Sequence, residues 1–283
     1  MVRLGRGRVE RATVVGTGAD MPQIAANGID IQHELSGPAE APVVLLSNSL
    51  GTRLEMWDAQ LPALAQRYRV LRYDSRGHGR STAPEGPYDI DLLAEDALGL
   101  LDALGIERAH FCGLSMGGMV GQALAARHPE RLRSLTLCST ACHMTPKEIW
   151  DQRIQAVRQG GMAAIADAVV ERWFTEGFRA EPSILVERVR QMILETPPHG
   201  YAACCGAIRD MDLRAAIGAI RLPTLIIMGA EDPATPPAKG EEIRERIAGA
   251  RLEVIPDAAH LVNIEQDVAF DASLLAFLDH QAR

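Results

Sequence analysis

Over residues 109–127 the chain passes from an apolar, strand-like run into a helix-like one through Gly113-Leu114-Ser115-Met116-Gly117, a junction that few folds can accommodate. Glycines two before and two after the serine let a strand and a helix approach closely around a strained turn. A turn of this kind lifts one serine oxygen clear of the sheet edge and is called a nucleophile elbow. Gly118 leaves further room for the helix to start against the sheet. Five residues of this pattern also recur in turns without chemistry, so the rest of the chain has to decide.

Strand-like and helix-like segments alternate on both sides of the junction. Apolar runs predict strands over 29–34, 43–47, 70–73, 109–112, 132–138, 224–228 and 252–255. Helical spacing predicts helices over 55–66, 90–104 and 118–127, the last stopped by Pro129. Such alternation implies an α/β fold with a mainly parallel sheet. The rhythm changes over 143–212, where helical patterns occur without a convincing strand, the best of them at 162–174 and 184–194. This stretch reads as a helical cap (143–212) inserted between two core segments, 21–142 and 213–283. Residues 1–20, with Arg3, Arg6, Arg8 and Arg11 among valines and glycines, read as a disordered extension, with Met21 as the start of the folded chain.

Composition narrows the function classes. With 47% apolar and 23% charged residues in 283, the chain is of ordinary globular type. A net charge of −8 argues against a nucleic-acid partner, which rewards clustered Lys and Arg. It leaves room for an anionic small molecule held by one or two local arginines. No apolar run approaches the ~20 residues that span a bilayer. The five cysteines have no paired C-x-x-C spacing and fall mainly in apolar segments, which predicts buried, reduced thiols and a cytoplasmic location.

A serine hydroxyl needs a base to take its proton and an acid to orient that base. In the elbow architecture the chain order is serine, acid, histidine. Of the eight histidines, His260 fits, following the last strand-like run and opening the final helix. Asp232 is the chosen acid. It follows the strand ending at Met228, and the 28 residues to His260 suit one helix and one strand. Glu231 is the neighbour that could be confused with it, and Asp257 reads as a turn or cap residue. The backbone N–H of Met116 and that of Leu50, in Ser47-Asn48-Ser49-Leu50-Gly51, are the expected oxyanion donors. His78 reads as a structural brace.

With these pieces placed, residues 22–280 resemble the α/β-hydrolase family, including the loop Tyr73-Asp74-Ser75-Arg76-Gly77-His78-Gly79-Arg80-Ser81. Within it the chain is similar to 3-oxoadipate enol-lactonases. The similar segments are Leu46-Ser47-Asn48-Ser49-Leu50-Gly51-Thr52, the elbow through Gly121, Arg172-Trp173-Phe174-Thr175, and Tyr201 through Cys204-Cys205 to Asp210. The resemblance implies a mostly parallel eight-stranded sheet with flanking helices and an inserted helical cap. It implies hydrolysis of 3-oxoadipate enol-lactone to 3-oxoadipate, in the β-ketoadipate pathway of aromatic catabolism, with neither metal nor organic cofactor. The substrate carries a carboxylate, which calls for paired cations. Arg53, Arg153, Arg172 and Arg209 are the candidates, with Trp150 and Trp173 as pocket walls. Rival readings are a broader esterase or perhydrolase, an acyltransferase, and a binding protein that has lost its chemistry.

Overall fold

The computed structural model describes residues 22–180 and 183–281; the expected extension over residues 1–20 lies outside the described residues. Its centre is an eight-stranded sheet: β1 (Gln23–Ala26), β2 (Ile29–Ser36), β3 (Val43–Ser47), β4 (Arg69–Tyr73), β5 (Ala109–Leu114), β6 (Leu132–Cys138), β7 (Thr224–Gly229) and β8 (Arg251–Ile255). The strands lie in the order β1-β2-β4-β3-β5-β6-β7-β8. β2 runs antiparallel to β1 and β4, and the pairs from β4 through β8 are parallel. β3, β5 and β7 are buried at every position. Helices cover both faces of such a sheet, so its central strands read as unbroken apolar runs rather than alternating ones.

β1 is absent from the sequence reading, although the signal for it is present. Asn27-Gly28 takes positive φ at both residues, 47° and 76°, and Ala26 pairs with Ile29. A two-residue turn of this hand matches the twist of the strands it joins.

The helix Ile90–Ala103 shows how local sequence sets an element. Asp89 caps it by accepting from Leu92 N–H (2.7 Å). Gly105, at φ 66°, ends it: Ile106 N–H reaches back to Leu101 O (2.8 Å) and Gly105 N–H to Asp102 O (3.0 Å). Its apolar face (Leu93, Ala97, Leu100, Leu101) is buried, and the helix packs on Met116–Arg127, which lies over β3, β5 and β6.

Two expected helices are broken. Residues 55–66 form a 3-10 turn at Leu54–Trp57 and a short helix at Leu61–Leu64, because Pro62 has no N–H for the carbonyl of residue 58. Residues 162–174 divide into a 3-10 turn, Met162–Ala164, and the helix Ala166–Trp173.

Between β6 and β7 the chain forms the longer helices Lys147–Gly160, Ala166–Trp173, Ile184–Glu195 and Pro198–Asp210. Lys147–Gly160 packs on Pro198–Asp210, and Ala166–Trp173 on Ile184–Glu195. The segments that leave and re-enter the sheet layer meet: His143 bridges to Asp212, and Leu213 N–H donates to Cys142 O (2.8 Å).

Candidate active site

The sheet order reverses at β3, which has β4 on one side and β5 on the other. Crevices at the carboxyl ends of strands beside such a reversal are where α/β sheets bind ligands. Ser47 at the end of β3 pairs with Gly113 near the end of β5, so residues 48–51 and Ser115 emerge side by side. Asp232 and His260 leave the same edge after β7 and β8.

Ser115 sits at φ 57°, ψ −115°, a conformation that L residues rarely adopt. Its surroundings fix it there. Ser115 N–H donates to Cys138 O (2.8 Å), and the Thr140 hydroxyl donates to Ser115 O (2.7 Å). A Cβ on Gly113 would lie 2.2 Å from Gly117 O, and one on Gly117 would lie 2.2 Å from Ser47 O. The two glycines of the motif are therefore required by the close approach of strand, helix and neighbouring loop.

Asp232 is 2% exposed and accepts four hydrogen bonds. Ala234 N–H (2.8 Å) and Thr235 N–H (3.0 Å) donate to Oδ1; the Thr235 hydroxyl (2.6 Å) and His260 Nδ1 (2.8 Å) donate to Oδ2. Burial alone would raise its pKa, but the facing His260 and the Thr235 bonds hold it below the ordinary carboxylate value. A carboxylate only accepts, so the ring proton sits on Nδ1 and leaves Nε2 of His260 as a base. Trp173 stacks on that ring at 5.7 Å between centroids and 28° between planes. Glu231 is exposed, and Asp257 takes a turn conformation at φ 52°.

The expected oxyanion donors stand out by what their neighbours do. Gly51 N–H donates to His78 Nε2 (2.8 Å) and Gly117 N–H to Asn48 O (2.9 Å). Among the described residues, the N–H groups of Leu50 and Met116 donate to nothing. Leu50 lines the cavity that Ser115 and His260 also line.

That cavity measures about 460 Å3 and is walled in part by Trp150, Arg153, Arg172 and Trp173. Arg153 lies over the Trp150 ring at 4.8 Å. Burial, reinforced by the charge of Arg153, lowers the pKa of Arg172. Among the described residues neither arginine forms an ion pair, whereas most other arginines here do.

The structure corrects the expectation for two arginines. Arg53 pairs with Glu55 (3.1 Å) and Glu195 in a separate polar cavity that Asp74 and Arg80 also line. Arg209 pairs with Asp151 (2.6 Å) and Asp210 (2.5 Å) in an outer groove. Each is already neutralised by two carboxylates, and neither lines the cavity that holds Ser115. Conversely, the sequence reading misses Thr235, although an Asp followed three residues later by Thr is a local capping pattern. It also misses Lys239 on the cavity wall.

A buried serine at an elbow, a histidine held by a carboxylate, and two uncommitted amides at one sheet edge are groups of the kind that acyl transfer requires. The family model for the alpha/beta hydrolase fold matches residues 42–267, and the chain belongs to that family of hydrolases. It is 40% identical over 255 residues to 3-oxoadipate enol-lactonase 2 of Acinetobacter baylyi, covering 90% of this chain and 95% of that protein. The crystal structure of the enol-lactonase from Burkholderia xenovorans LB400 superposes with a TM-score of 0.89 at 46% identity, covering 91% of this chain and all of that one. A thermophilic esterase from Thermogutta terrifontis, solved with malate bound, gives a TM-score of 0.87 at 30% identity, covering 93% of this chain and 99% of that one. Among the described residues no helix is long and apolar enough to cross a membrane.

Proposed function

We propose that this chain hydrolyses 3-oxoadipate enol-lactone to 3-oxoadipate in the β-ketoadipate pathway. The observation that carries the reading is Arg153 and Arg172 on the wall of the cavity that holds Ser115, neither of them in an ion pair among the described residues. Two cations on one partly buried wall, without an ion pair among the described residues, favour an anionic ligand. The enol-lactonase relatives supply the substrate that combines a carboxylate with a reactive ring ester.

Ser115 Oγ attacks the lactone carbonyl while His260 Nε2 takes its proton, and Asp232 keeps Nδ1 protonated and the ring in place. The N–H groups of Leu50 and Met116 receive the oxyanion. Collapse breaks the ring C–O bond and releases an enol oxygen that takes the proton from His260. The enol becomes a ketone, which makes the opening hard to reverse, and the chain stays attached through its acyl end. Water, deprotonated by His260, attacks the acyl-enzyme and frees the second carboxylate and Ser115.

The test follows loss of ultraviolet absorbance from freshly generated enol-lactone, with p-nitrophenyl acetate as a neutral comparison. The expected kcat/KM for the lactone exceeds ~10⁴ M⁻¹s⁻¹, and Ser115→Ala lowers it by at least about 10³-fold. Brisk Ser115-dependent cleavage of the neutral ester with no lactone turnover would retain the machinery and remove the substrate assignment.

A further inference from the structure

The loop Asp74–Ser81 stands outside the reacting groups, yet it holds the oxyanion loop at Gly51 and the turn that follows it at Leu54. Asp74 Oδ1 accepts Leu54 N–H (2.8 Å), and His78 Nε2 accepts Gly51 N–H (2.8 Å). The His78 side chain is fully buried, and its Nδ1 lies 3.2 Å from Arg76 O. A carbonyl only accepts, so Nδ1 carries the ring proton and Nε2 presents a lone pair to Gly51. Burial keeps the ring neutral, its pKa pushed down to about 4, so that lone pair is available at neutral pH.

Gly51 is the residue after Leu50, and two adjacent amides in a mobile loop would compete for one developing oxyanion. Here the competition is removed. Gly51 N–H is committed to His78, Gly51 O accepts from the Thr196 hydroxyl (3.3 Å), and φ at Gly51 is 80°. Leu50 N–H, at the cavity wall, is left uncommitted among the described residues. We propose that His78 is a positioning residue for the oxyanion hole, acting through Gly51 to fix the Leu50 amide in its donating orientation. This inference rests on the reading of Ser115 as nucleophile and Leu50 as oxyanion donor, but not on the identity of the lactone.

The experiment compares wild type, His78→Asn, whose oxygen stops short of Gly51, and His78→Gln, whose oxygen reaches the Nε2 position. The substrate is p-nitrophenyl acetate, and phenylboronic acid, which forms a tetrahedral anion on Ser115, probes the hole directly. The expected result for His78→Asn is a fall in kcat of about 10- to 100-fold, below the full loss of an oxyanion donor. Its KM stays within about twofold, its boronate affinity weakens by the same factor as kcat, and His78→Gln recovers most of both. A purely structural role would lower thermal stability without separating kcat from KM. Values for His78→Asn within twofold of wild type, or no recovery in His78→Gln, overturn the proposal. Ser115→Ala run alongside separates the two readings: if it stays active, the catalytic assignment itself falls. A nitrogen-15 spectrum of the wild-type imidazoles gives a check that needs no variant, because a proton on Nε2 of His78 is incompatible with its role.

Discussion

At the scale of single residues, the decisive difference among the arginines is who their neighbours are. Arg53 and Arg209 each hold two carboxylates, whereas Arg153 and Arg172 hold none among the described residues and share a wall with Ser115. Replacing Arg172 by Met should raise KM for the enol-lactone about 10- to 100-fold, the range for losing a charge-assisted hydrogen bond. Turnover of p-nitrophenyl acetate should change less than about threefold; equal losses on both substrates would assign Arg172 to scaffolding. Histidine offers a second test. His110 of β5 contacts Ser134 on neighbouring β6 (2.8 Å), and burial, aided by Arg133 and Arg108, pushes its pKa down to about 4 from 6.5. A base whose folded pKa is depressed contributes stability that is complete above its unfolded pKa and is lost as the pH falls through the folded one. Urea titrations of His110→Gln should therefore give a flatter dependence of unfolding free energy on pH between 6.5 and 4 than wild type. Parallel curves would mean that His110 titrates alike in both states.

At the scale of elements, the strand-to-helix junction is the least forgiving part of the chain. An alanine at Gly117 puts its Cβ 2.2 Å from Ser47 O, with the backbone of a buried strand end unable to retreat. Gly117→Ala should lower stability by about 3 kcal/mol or more and abolish ester hydrolysis, as thermal unfolding and p-nitrophenyl acetate turnover would show together. Gly206→Ala, with nothing within 4 Å of the added carbon, is the matched control. The junction was legible in the sequence because its constraint is local: glycine spacing around one serine. The meeting of Asp232 and His260 at one sheet edge was legible because strand order dictates where each loop emerges. The split of residues 55–66 was less so, since an imperfect apolar face outweighed Pro62. The fate of the arginines was not legible, because Glu195 and Asp151 reach them only through tertiary packing of distant helices.

At the scale of the molecule, all five cysteines are free and buried. Burial pushes Cys142 up to about 11 and Cys205 up to about 12, so neither offers a thiolate at neutral pH. A native sample should release essentially no thionitrobenzoate from Ellman's reagent within minutes, and a sample in guanidinium should release five equivalents per chain. A fast-reacting thiol in the native sample would show an opening that the fold does not display. The bridge between His143 and Asp212 has a different consequence. The chain departs the sheet layer and comes back at neighbouring points, one hydrogen bond apart at Cys142 and Leu213. The intervening stretch thus enters and leaves the sheet layer at one place, and loop-closure entropy depends only weakly on the length of what lies between. Another roof of different size or polarity exchanged at that seam would have to replace the Thr196 contact to Gly51 and the Trp173 stack on His260 to keep the sheet edge beneath it in place.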